Sequence, residues 1–95
     1  VFLGVPFNIM SYSLLTHMIA HVCGLRASKL TMCLGDTHIY QNHVDQVLTQ
    51  MKNIPYSFPT VSLSENIKSI FDFSLDDIVV ENYESHSYIR APMAV

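Results

Sequence analysis

The sequence predicts an α+β fold in which a long buried helix packs on a mixed sheet that is incomplete within the 95 residues. Two observations lead to this fold class. The chain holds two runs of helical length, one apolar and one amphipathic, and short runs of strand-forming residues lie between glycines and prolines. The predicted order is helix, strand, helix, strand, strand, which favours an α+β domain.

The first predicted helix covers residues 9–23. Before it, residues 1–7 carry strand-forming side chains broken by Gly4 and Pro6, so we expect an extended end that leads into a turn. Asn8 is a candidate N-cap, because its side-chain oxygen can accept a hydrogen bond from a free amide of the first turn. The helix is apolar on most of its circumference and is expected to lie in a core and to end at Gly24.

Two strands are expected next. Residues 29–34 fit a largely buried strand, although so short an apolar run does not separate strand from helix by periodicity alone. Gly35 and Asp36 would allow a bend before residues 37–40.

A second helix is predicted from Asn42 to about residue 53, because its apolar residues recur three or four positions apart. Pro55 and Pro59 then mark an extended connector. The remaining predictions are a strand at residues 60–63, a helical turn within 64–71, a strand at 78–80 and an extended tail at 90–95.

The composition predicts that this chain packs against other protein. Hydrophobic residues make up 49% and charged residues 14% of the sequence, whereas charged residues normally supply about a quarter. Apolar surface in this proportion is expected to be covered by upstream sequence or a partner subunit. Val1 in place of an initiator Met points the same way.

Charge and cysteine content exclude several classes of protein. The net charge is −3 and the five basic residues are scattered, so no nucleic-acid partner is expected. Cys23 and Cys33 do not form a disulfide framework and nothing in the given residues resembles a signal peptide, so we expect a reducing, cytoplasmic location. No membrane partner is expected either, since the apolar run at 9–23 is shorter than the ~20 residues of a spanning helix.

Three motifs in order resemble the thymidylate synthase family: Leu-Gly-Val-Pro-Phe-Asn at residues 3–8, Ser-Tyr followed by Leu-Thr-His-Met-Ile-Ala within 11–20, and Leu-Gly-Asp-Thr-His-Ile-Tyr with Asn-His within 34–43. The final Ala-Pro-Met-Ala-Val resembles the C-terminus of that family. The resemblance implies that residues 1–95 are the C-terminal segment of a single thymidylate synthase domain.

The family resemblance implies a homodimer that methylates dUMP to dTMP, with 5,10-methylenetetrahydrofolate as co-substrate and dihydrofolate as product. In the family a cysteine thiolate of a Pro-Cys-His motif attacks the uracil ring. Neither Cys23 nor Cys33 lies in such a motif. We therefore expect the nucleophile in the upstream part of the same subunit, and no activity from this chain alone.

The resemblance assigns the dUMP-binding residues as Asn8, His38, Ile39 and Tyr40, with Asp36 in support. The Asn8 carboxamide offers the donor and the acceptor that uracil requires, and it favours dUMP over the cytosine nucleotide. From the residues alone, a helix cap is favoured for Asn8, and a solvated strand end is favoured for the alternating pattern of Asp36, His38 and Tyr40.

The resemblance assigns folate contacts to Leu3, Gly4, Phe7 and Ala94, with the carboxylate of Val95 in a tail that closes over the folate. Core packing is the alternative for Leu3 and Phe7, and an unstructured terminus is the alternative for the tail.

No metal is expected. His17 and His21 have a spacing that can bring two imidazoles to one ion, but the glutamate of the metalloprotease motif is absent between them, and core histidines are the alternative.

Two other functions remain open from the sequence: a deoxyuridylate or deoxycytidylate hydroxymethylase of the same superfamily, and a non-catalytic fragment used for interaction. A fusion to dihydrofolate reductase, which occurs in some relatives, is also left open.

Overall fold

The computed structural model describes residues 1–93. Two helices, α1 (Val5–Val22) and α2 (Val44–Met51), precede two strands, β1 (Thr60–Leu63) and β2 (Ile78–Glu81). Single 3-10 turns lie at Gln41–His43, Ile70–Asp72 and Leu75–Asp77. The structure is therefore a small α+β arrangement, as predicted.

Helix α1 begins at Val5, four residues before the predicted start, so the extended end expected at residues 1–7 is wrong. Pro6 lies in the first turn of the helix. Backbone amides in that turn have no partner within the helix, so proline loses no hydrogen bond there, and its fixed φ suits the helix. The N-cap is Gly4, and the backbone N–H of Asn8 donates a hydrogen bond to the backbone carbonyl of Gly4 at 3.3 Å. Asn8 is thus inside the helix, and its assignment as N-cap is wrong.

The predicted end of α1 at Gly24 is confirmed. Gly24 has a φ of 66°, and its amide donates to the His21 carbonyl at 3.3 Å. The amide of Leu25 donates to the Ala20 carbonyl at 2.8 Å. These two hydrogen bonds form a Schellman motif, which satisfies carbonyls that the end of the helix would otherwise leave without partners.

The strands predicted at residues 29–34 and 37–40 do not form. A strand is stable only when a neighbouring strand pairs with its backbone groups. Within the described residues β1 and β2 pair with each other alone, antiparallel, with Thr60 opposite Glu81 and Leu63 opposite Ile78. The mixed sheet is therefore a two-stranded antiparallel one, while the strands predicted at 60–63 and 78–80 are confirmed.

The turn before β2 is held by a capping box between Ser74 and Asp77. The amide and hydroxyl of Ser74 both donate to the Asp77 carboxylate at 2.9 Å, and the Asp77 amide donates back to the Ser74 carbonyl at 3.1 Å. The Ser74 amide, followed by the hydroxyls of Ser64 and Ser74, holds the pKa of the Asp77 carboxyl below its usual value. The turn is thus fixed by local bonds.

Apolar surface is left uncovered throughout the described chain. None of its hydrophobic residues is buried, and its accessible surface is 8174 Å², against about 5,500 Å² for a folded protein of this mass. The radius of gyration is 16.3 Å, against about 12 Å for a compact domain of this length. The expected burial of the first helix is not confirmed, since α1 has no buried residue within residues 1–93.

The C-terminal segment, residues 86–92, lies along α2 and runs antiparallel to it. His86 Nε2 bonds to the carbonyl of Ile54, just beyond the end of α2, at 2.8 Å. At the start of α2, the Nε2 atom of His43 forms a 2.5 Å hydrogen bond with the carbonyl oxygen of Pro92. Between them the Gln46 amide donates to the Arg90 carbonyl at 3.5 Å.

Candidate functional site

An open cavity of about 200 Å³ lies between the start of the chain and the segment that ends at His38. The first turn of α1 contributes Val5 to its wall, and the backbone nitrogen of Val1 donates to the His38 carbonyl at 3.3 Å. The cavity is lined by Val1, Val5, Leu34, Gly35, Asp36, Thr37 and His38. It therefore joins two stretches in which site residues are predicted.

Three predicted site residues lie side by side in the segment 36–40. Asp36 Oδ1 is 3.8 Å from His38 Nδ1, and the rings of His38 and Tyr40 are 5.4 Å apart between centroids. The Asp36 and His38 side chains are 97% and 57% exposed, so their pairing adds little to stability. These residues thus lie close together in a segment without regular secondary structure, and their polar groups are exposed to solvent.

Two further predicted dUMP contacts, Asn8 and Ile39, are also exposed. Asn8 lies one turn into α1, three residues after Val5, which lines the cavity. Since Gly4 caps the helix, Asn8 does not act as its N-cap. The exposed Asn8 carboxamide projects from the first turn of the helix. Contact of either residue with a nucleotide stays a prediction.

The predicted folate residues lie at the start of α1. Phe7 is 72% exposed, Gly4 is exposed and Leu3 is half-buried. A side chain at Gly4 would meet nothing within 4 Å, and its φ of −96° suits any residue. The chain's own structure therefore does not require glycine there. Ala94 and Val95 lie outside the described residues.

His43 is the residue that the sequence reasoning missed. It is 2% exposed and the only buried side chain among the described residues. Its ring packs edge-on against Phe2 and Tyr40, with centroids 5.8 and 5.4 Å apart. Its Asn-His motif was part of the family pattern, but nothing in the local sequence shows that two distant residues, Phe2 and Pro92, meet on this ring.

His17 and His21 line a second open cavity, of about 230 Å³, near the end of α1. The His21 ring lies edge-on to Phe73 at 6.1 Å. Within residues 1–93 no three metal-ligating side chains converge. In the same part of the chain no helix combines the length and the apolar character needed to span a bilayer.

The fold and the first cavity define a partial α+β domain whose exposed polar side chains gather beside a helix start, as in small-ligand sites. The family model described as thymidylate synthase matches residues 1–95, the whole chain. The chain belongs to the thymidylate synthase family. Membership indicates a methyltransferase of dTMP biosynthesis, and the family acts on dUMP with methylenetetrahydrofolate as co-substrate.

Proposed function

We propose that this chain supplies nucleotide- and folate-contacting residues to a thymidylate synthase subunit, which converts dUMP and 5,10-methylenetetrahydrofolate to dTMP and dihydrofolate. The observation that carries the proposal is that His38, whose ring lies 5.4 Å from that of Tyr40, lines a cavity that is also lined by Val5 of the first turn of α1. Asn8 projects from that same turn.

In this site Asn8 reads the uracil edge, while His38 and Tyr40 hold the sugar hydroxyl. A carboxamide donates and accepts at once, which matches the neighbouring N3–H and O4 of uracil. An imidazole and a phenol each offer a hydrogen bond to a hydroxyl. Ile39 lies between them in sequence and completes the wall of the nucleotide site. Asp36, 3.8 Å from the His38 ring, supports the orientation of that ring.

The folate lies against Leu3, Gly4 and Phe7, and Ala94 closes over it. Phe7 is exposed and offers a flat aromatic face to a pterin or aminobenzoyl ring. The open space above Gly4, where a side chain would meet nothing, is consistent with close approach of a ligand to the backbone.

The nucleophilic cysteine comes from another part of the subunit. Among the described residues neither cysteine lines the first cavity, and both are exposed and free. The uncovered apolar surface supports the same view, since upstream sequence and a second subunit of a homodimer would cover it. A reducing, cytoplasmic location belongs to this proposal and agrees with the two free thiols.

The test is to express the full polypeptide that contains this sequence and to measure dUMP-dependent formation of dihydrofolate, with the product identified by mass. We expect dTMP from the full polypeptide and none from residues 1–95 alone. A hydroxymethylated nucleotide without dihydrofolate would replace this proposal with a hydroxymethylase. A full polypeptide that binds neither dUMP nor folate would support a non-catalytic role.

A further inference from the structure

One side chain joins the segment of the predicted nucleotide contacts to the C-terminal segment. The His43 ring packs edge-on against Tyr40, whose own ring lies against that of His38. On another side, His43 Nε2 meets the carbonyl oxygen of Pro92. These contacts connect positions 49 residues apart in sequence, within residues that otherwise form no buried core.

The chemistry of the Pro92 contact fixes the role of the imidazole. A carbonyl oxygen only accepts hydrogen bonds, so Nε2 carries the proton and donates. The bond is sheltered, because His43 is only 2% exposed. Water competes less for a buried hydrogen bond than for an exposed one. A buried donor or acceptor that is left without its partner destabilises the protein.

We propose that His43 is a positioning residue that holds the C-terminal segment in register with the His38–Tyr40 segment, so that order in one favours order in the other. Its ring orients Tyr40 and its Nε2 proton anchors Pro92. The inference deepens the proposed function and rests on it, because there Tyr40 contacts dUMP and the residues after Pro92 close over the folate. Coupling between two sites requires a shared structural element whose conformational equilibrium changes when either site is occupied. Here that element is the His43 side chain with its contacts to Tyr40 and Pro92.

Two substitutions separate the two roles of the side chain. His43→Phe keeps an aromatic ring against Tyr40 but removes the donor to Pro92. His43→Gln keeps an amide donor at about the reach of Nε2 but removes the ring. A purely structural residue would give two variants that differ only in stability.

The first readout is kinetic and uses the full polypeptide with dUMP and 5,10-methylenetetrahydrofolate. For His43→Phe we expect the KM for folate to rise about 3- to 10-fold, the effect of one lost hydrogen bond, with dUMP affinity changed less than about twofold. For His43→Gln we expect the reverse pattern, since the edge-on ring contact with Tyr40 is lost. Equal changes in both constants for both variants would overturn the proposal.

The second readout needs no activity. Hydrogen–deuterium exchange of the amides in residues 88–93 should be about 3- to 10-fold faster in His43→Phe and unchanged in His43→Gln. His86→Phe is the matched control: it removes the same kind of bond, His Nε2 to a carbonyl, from an exposed position, and should leave exchange near Pro92 unchanged.

The two readouts distinguish failure of the inference from failure of the proposed function. Faster exchange confined to His43→Phe, in a protein that forms no dTMP, would uphold the anchor and reject the proposed reaction. An active protein with the same exchange in all variants would reject the anchor. Should His43→Phe not fold, His43→Gln alone decides, because loss of tail protection in that variant contradicts a role for the donor.

Discussion

The aromatic cluster around His43 and the hairpin of β1 and β2 are built in opposite ways. In the cluster the His43 side chain contacts the rings of Phe2 and Tyr40 and the backbone carbonyl of Pro92, and none of these residues lies in a strand. The hairpin is held by backbone pairing and by a local capping box. The site end therefore depends on contacts as distant in sequence as that between His43 and Pro92, whereas the hairpin pairs strands between residues 60 and 81 and is closed by a local turn.

The difference predicts where substitutions change activity and where they change stability. At the cluster, exposed polar groups and one buried ring are expected to control ligand binding. At the hairpin and the nearby end of α1, the expected effects are on folding alone. Substitutions at the two ends of the molecule, made in the full polypeptide, test that division.

The largest effect is expected for Asn8→Asp. An ionised carboxylate only accepts, so the uracil N3–H keeps a partner while O4 loses its donor. We expect kcat/KM for dUMP to fall about 100- to 1,000-fold, as for other sites that lose a hydrogen bond to the substrate. Steady-state kinetics with dUMP and dCMP would measure this. Since Asn8 is exposed and does not cap α1, the melting temperature should stay the same, and a large fall in it would contradict the division.

A second comparison uses the two histidines that bond to carbonyls. His43→Ala removes a buried ring and leaves the Pro92 carbonyl without its donor, so we expect a loss of about 2–3 kcal/mol in the free energy of unfolding. His86→Ala removes an exposed ring that stacks on Tyr56 at 4.4 Å, and should cost less than about 0.5 kcal/mol. Denaturant unfolding measures both. Equal losses would show that burial of His43 adds nothing.

A smaller effect is expected at the end of α1. Gly24→Ala places a side chain on a residue with a φ of 66°, which costs about 1–2 kcal/mol of stability although space is available. The matched control is Gly35→Ala, where φ is not positive and the space is equally open, and unfolding should be unchanged. Gly24→Ala is not expected to alter nucleotide preference, because Gly24 does not line the first cavity. Thermal unfolding of the two variants tests the pair.

The smallest effect is expected for Asp77→Asn, which should change how stability depends on pH in acid. Its pKa is lower in the folded protein than its usual value of 3.8. A lowered folded pKa means that the carboxylate stabilises the fold above its unfolded pKa, and that this stability is lost as pH falls through the folded pKa. Asp77→Asn should therefore flatten the decline in melting temperature below about pH 4. Thermal unfolding at a series of pH values checks this. If the melting temperature of the variant declines in acid as steeply as that of the unchanged protein, the capping box does not contribute to stability.

The hairpin end was largely predictable because its signals are local. The β-branched residues at 60–63 and 78–80 form β1 and β2, and Gly24 ends α1 through its own backbone freedom. The spacing of apolar residues after Asn42 likewise predicted α2, which begins at Val44. In each case the residues that decide the element lie within it or beside it, so pattern and turn chemistry are sufficient.

The site end was only partly predictable. The alternation of Asp36, His38 and Tyr40 placed these side chains together, but the strand expected to carry them is absent because the described residues give it no partner. Helix α1 begins before its predicted start, because Pro6 lies in the first turn, where proline is tolerated, and does not break the helix.

The sequence by itself determined the family, helix α2 and strands β1 and β2, because these depend on residue type and spacing, and the family resemblance proposed the candidate ligand contacts. Only the tertiary structure decided that the segment 86–92 lies antiparallel along α2 and that His43 joins it to Tyr40. The physical reason is separation along the chain: hydrogen bonds between residues 32 to 49 positions apart arise from closure of long loops, which local propensity does not encode.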